Sequence, residues 1–92
     1  MNLIELTIIA NTRAALANVK NVYQHGMGTG REEYLKNIYA FHALTKLGAD
    51  DAGMSADGAK ALHELEQEHA AAFVTALAQN PAAMAAIQDA TA

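Results

Sequence analysis

The sequence predicts an all-α fold, a small antiparallel helical bundle of three main helices plus a short C-terminal helix. Three observations carry this. Apolar residues recur near the helical period over three long stretches, and nothing alternates as a strand would. Stop and start residues separate the stretches: Gly26 to Gly30, Gly48 to Ser55, and Asn80-Pro81. Alanine, the best helix former, supplies 22 of the 92 residues. That length makes one domain, residues 1–92, with no repeat and no linker.

Helix one is expected over residues 2–25. Ile4, Ile8, Ala15, Leu16, Val19, Val22 and Tyr23 share an arc, with Ile9 at its edge, and Glu5 and Thr12 lie on this core face. Leu3, Leu6, Ala10, Ala14 and Ala17 form a second apolar stripe on the other side, small enough to admit another backbone. Gly26-Met27-Gly28-Thr29-Gly30 ends the helix. With Arg31, this loop could cradle an anion, although the dinucleotide fingerprint is absent.

Helix two is expected over residues 31–47. Glu32 and Glu33 sit in its first turn, where negative charge suits the dipole. Tyr34, Leu35, Ile38, Phe41, His42, Leu44 and Thr45 build its apolar arc, His42 on the flank as a half-buried histidine. Lys46 and Gly48 mark its end. Residues 49–54 form an acidic loop without the ligand spacing of a calcium loop.

The longest helix follows, capped by Ser55 and running to about Gln79, with Gly58 weakening its first turn. Leu62, Leu65, Ala72, Phe73, Ala76 and Leu77 span an arc of roughly 140°. Glu66 and His69 fall inside that arc, three residues apart. A carboxylate on a core face needs a partner, so the two are expected to form a buried polar pair. Asn80-Pro81 reads as an N-cap and first helical position, opening a short helix over 82–90 anchored by Met84 and Ile87.

The net charge is −4 and no basic run tracks a phosphate backbone, which argues against direct nucleic-acid binding. Neither a signal peptide nor a membrane span is expected, so the location expected is cytoplasmic. Without cysteine there is neither disulfide nor thiolate chemistry. Ser55 is the only serine and reads as a cap, which leaves no serine nucleophile.

Glu66-Gln67-Glu68-His69 has the Glu-x-x-His spacing of helical metal sites. Over residues 62–71 the chain resembles the second metal helix of ferritin-like proteins. That resemblance implies iron oxidation if a further helix supplies an inward carboxylate. Helix two does not, since Glu32 and Glu33 lie off its apolar arc, which leaves Glu5 beside Glu66 and His69.

The expected function is therefore a non-catalytic protein-binding module, homo-oligomeric through Leu3, Leu6, Ala10, Ala14 and Ala17, with no cofactor. By analogy of size and composition alone, it would be a phage or mobile-element accessory protein that inhibits a host complex. One alternative is a metal-binding bundle using Glu5, Glu66 and His69. Another is a small-ligand or anion binder at the glycine loop.

Overall fold

Local capping chemistry places the helix starts. Asn2 Oδ1 accepts the Glu5 N–H at 2.9 Å and opens α1 (Leu3–His25). Ser55 Oγ accepts the Gly58 N–H at 3.1 Å and opens α3 (Ala56–Gln79). Pro81, which has no N–H to leave unpaired, begins α4 (Pro81–Thr91). The acidic first turn of Glu32 and Glu33 begins α2 (Arg31–Asp50). The computed structural model describes residues 2–28, 30–50 and 53–91.

The end of α2 differs from expectation. α2 continues past Leu47 through Gly48 to Asp50, because one glycine costs a helix only about 1 kcal/mol relative to alanine and does not by itself stop it. Asn80 does more than separate α3 from α4. Its side-chain amide donates to the Tyr23 and Gln24 carbonyls at 3.4 and 3.3 Å, satisfying the open end of α1. At that end Gly26 takes φ +82°, a backbone angle suited to glycine, and its N–H bonds Val22 O at 2.7 Å. Asp51, in the expected acidic loop, lies outside the described residues, as does Thr29.

The first three helices run up, down and up. Asn18 on α1 bonds Asn37 on α2, and Lys20 on α1 pairs with Glu68 on α3 at 2.8 Å. α1 is the central helix: it packs along both α2 and α3, which touch each other less. α4 folds across one end, where Arg31 donates to the Ala90 carbonyl at 3.3 Å.

This arrangement produces two core clusters. One contains Ile9, Ala15, Leu16, Phe41, Leu62 and Leu65. The other contains Val19, Tyr23, Tyr34, Ile38, Ala76, Met84 and Ile87, so the two expected α4 anchors are core residues. The centre of the buried face of α1 is rotated from the expected one. Ile9 is buried, while Ile4 is 71% exposed. Being pressed from two sides moves the centre toward Thr12, Leu16 and Tyr23, about 90° from Ile4.

The bundle measures 41 × 24 × 19 Å. Its accessible surface is 5690 Å², whereas about 5,100 Å² is usual for a monomer of 9.7 kDa.

Candidate functional site

His69 stands where the two core clusters meet. Its ring centroid is 5.1 Å from Phe41 in one cluster and 5.7 Å from Tyr23 in the other. Its Nε2 lies 2.8 Å from the Tyr23 hydroxyl. Burial, and then the neighbouring His42, hold the His69 pKa below the ordinary histidine value. The imidazole is therefore mostly neutral at pH 7, and its tautomer sets which of Nε2 and the Tyr23 hydroxyl donates. Burial pushes the Tyr23 pKa well above the usual phenol range, reinforced by the Tyr34 hydroxyl. Burial raises the Tyr34 pKa too. The Tyr23–His69 bond acts as a strut joining α1 to α3.

The expected Glu66–His69 pair does not form as a buried unit, because Glu66 is exposed. The buried face of α3 centres on Leu62, Leu65 and Ala76, and Glu66 lies about 75° from it. The weaker contact between α2 and α3 leaves that flank uncovered. Leu77, also expected in the core, is 41% exposed there for the same reason. His42 is exposed instead of half-buried, with its ring 5.8 Å from His69. Tyr23, Tyr34, Tyr39, His42, His69 and Phe73 line a shallow groove of about 300 Å³ on this side.

Tyr23 is the residue that sequence reasoning missed. It was legible as a core residue, and a buried tyrosine hydroxyl usually finds a partner. Nothing in the sequence pairs it with a histidine 46 positions away.

Glu5 is buried as expected, in a different role. Its carboxylate accepts the Ser55 N–H at 2.5 Å and the Ser55 hydroxyl at 3.0 Å. It thereby joins the N-terminal capping of α3, where a helix favours negative charge. The Ser55 N–H is the main cause of a pKa held below the ordinary carboxylate value. Gly58 is buried against this latch: a Cβ there would lie 3.0 Å from the Met54 methyl and 3.3 Å from Ser55 Oγ. Sequence alone showed only its weakness as a helix former.

The latch also separates the three metal candidates. Glu5 sits at Ser55, and His69 is fourteen residues further along the same helix, about 21 Å at the usual helical rise. Among the described residues, no three carboxylate or imidazole side chains converge on one point. In the glycine loop, the Gly26 and Gly30 N–H groups bond Val22 O and Met27 O, and Arg31 is drawn to α4.

The outer stripe of α1 is where the sequence put it. Leu3 is 78% exposed and Leu6 48%, and Ala10, Ala14 and Ala17 are exposed with them. Ala17, at the C-terminal end of the stripe, also lines an open groove with Leu65 and Glu68 of α3. No described helix is long and apolar enough to cross a membrane.

No protein-family model, curated protein or solved structure matches the chain.

Proposed function

We propose that this chain is a non-catalytic protein-binding module of the cytoplasm, and that it self-associates through the outer face of α1. The exposure of Leu3 and Leu6 at the head of an otherwise small-residue face carries this reading. Contiguous exposed apolar surface commonly marks an interaction site. The polar side chains in the core support it too, since each has a structural task. Glu5 caps α3, Thr12 bonds Ile8 O at 2.7 Å, Thr45 bonds Phe41 O at 3.0 Å, and His69 bonds Tyr23.

Ala14→Glu tests the reading. It places a carboxylate mid-face at an exposed position, leaving the core untouched. The parent chain is expected to sediment as a dimer or larger species at tens of micromolar, and the variant as a folded monomer with unchanged helical circular dichroism. A parent chain that is already monomeric overturns the reading.

A further inference from the structure

We propose that His42 and His69 together bind a divalent copper ion, which ties α2 to α3. The two imidazoles come from neighbouring helices and line one open groove. Their ring centres are 5.8 Å apart and their planes nearly perpendicular, at 85°. A metal bound at about 2.0–2.1 Å from a ring nitrogen lies about 3.2 Å from the ring centre, so two imidazoles on one ion have centres roughly 4.5–6.4 Å apart as the angle at the metal opens from about 90° to 180°. The separation already falls in that range.

The ring nitrogens are placed to serve. His69 Nε2 is occupied by the Tyr23 hydroxyl at 2.8 Å. Nδ1 makes no hydrogen bond among the described residues, and no described buried side-chain nitrogen lacks a partner, so Nδ1 meets solvent. Phe41 and Phe73 hold the ring in place, with centroids 5.1 and 6.5 Å away. A metal-bound imidazole ordinarily has a hydrogen-bond partner on its other nitrogen, which fixes tautomer and orientation. Tyr23 is that partner here: a metal on Nδ1 leaves the proton on Nε2, and the Tyr23 oxygen accepts it. His42 is exposed, and its ring makes no hydrogen bond among the described residues, so it is free to turn toward an ion.

The donor set selects the ion. Imidazole suits the later first-row metals, and affinity at a given nitrogen and oxygen site peaks at Cu2+. Two protein donors are too few for a closed tetrahedral zinc site, whereas Cu2+ takes a tetragonal set that water can complete. The groove, of about 300 Å³, has room for that water. No described carboxylate lines it, so calcium and magnesium, which seek oxygen, find no charged ligand there. The consequence is mechanical. α2 and α3 touch each other less than either touches α1, and an ion held by both braces that flank. The site is independent of the outer face of α1.

The chain has four histidines and no cysteine, so each competing imidazole can be followed. The untagged chain is titrated with Cu2+ alone in a non-coordinating buffer, and the histidine ring signals are read by nuclear magnetic resonance. Sub-stoichiometric Cu2+ is expected to broaden His42 and His69 before His25 and His63. The electron paramagnetic resonance spectrum should show coupling to two imidazole nitrogens, and one ion per chain should raise the thermal midpoint. A variant carrying both His25→Ala and His63→Ala should keep all three results. His42→Ala, at an exposed position, should keep parental helical circular dichroism yet lose at least tenfold in affinity, together with the rise in midpoint. Earlier broadening of His25 or His63, affinity unchanged in His42→Ala, or no binding at tens of micromolar overturns the proposal.

Discussion

Phe41→Ala is expected to destabilise the fold by about 3–5 kcal/mol, the usual cost of emptying a large aromatic site in a core. Phe41 is 1% exposed and belongs to the cluster of Ile9, Leu16, Leu62 and Leu65. Its ring also backs His69 at 5.1 Å and His42 at 5.7 Å. Truncation therefore opens a cavity beside the one imidazole that links the two core clusters. A domain of this size has only about 5–15 kcal/mol in total, so the variant should have a far lower urea midpoint with a similar slope. Protein concentration must be held constant, because an associating chain gains stability by mass action. A loss below about 1 kcal/mol would mean that Phe41 is not the core contact described.

Tyr23→Phe comes next in expected effect. It removes the hydrogen-bond partner of His69 Nε2 and should cost about 1–3 kcal/mol, the usual penalty for a buried polar group left unpaired. His69→Phe should cost a similar amount, and the double variant less than the sum of the two. Glu66→Ala should change stability by no more than about 0.5 kcal/mol, as at other exposed positions. Coupling between positions 66 and 69 in place of 23 and 69 would overturn the assignment.

Acid dissects the two polar centres. The folded His69 pKa lies below its unfolded value of about 6.5. The unfolded chain then binds more protons in that window, so the associated stability is complete above pH 6.5 and falls as the pH drops below it. Glu5 also has a depressed folded pKa, so its contribution is complete above the unfolded carboxylate value near 4.3 and is lost as the pH falls through the folded value. Thermal midpoints from pH 8 to 3 should show two separate declines. The upper one should disappear in His69→Phe, and the lower one should shrink in Glu5→Gln. A parental chain with a flat midpoint between pH 7 and 5 would contradict the His69 assignment.

The sequence by itself determined the helices, the Ser55 cap, the start at Pro81 and the two-faced character of α1. These are local properties: Ser55 can cap and Pro81 can open a helix whatever surrounds them, and periodicity marks the apolar sides. The tertiary structure alone decided which part of each apolar arc is buried and which polar groups meet. A helix squeezed between two neighbours buries a different arc from one touching a single neighbour. Placing α1 in the centre therefore sank Ile9 and exposed Ile4, and it left Glu66 and Leu77 on the open flank of α3. Partner choice followed from that placement. Glu5 reaches Ser55 and Tyr23 reaches His69 across 50 and 46 residues of chain. Such pairs are set by how the helices align, and spacing along one helix carries no information about the side chain that another helix brings alongside.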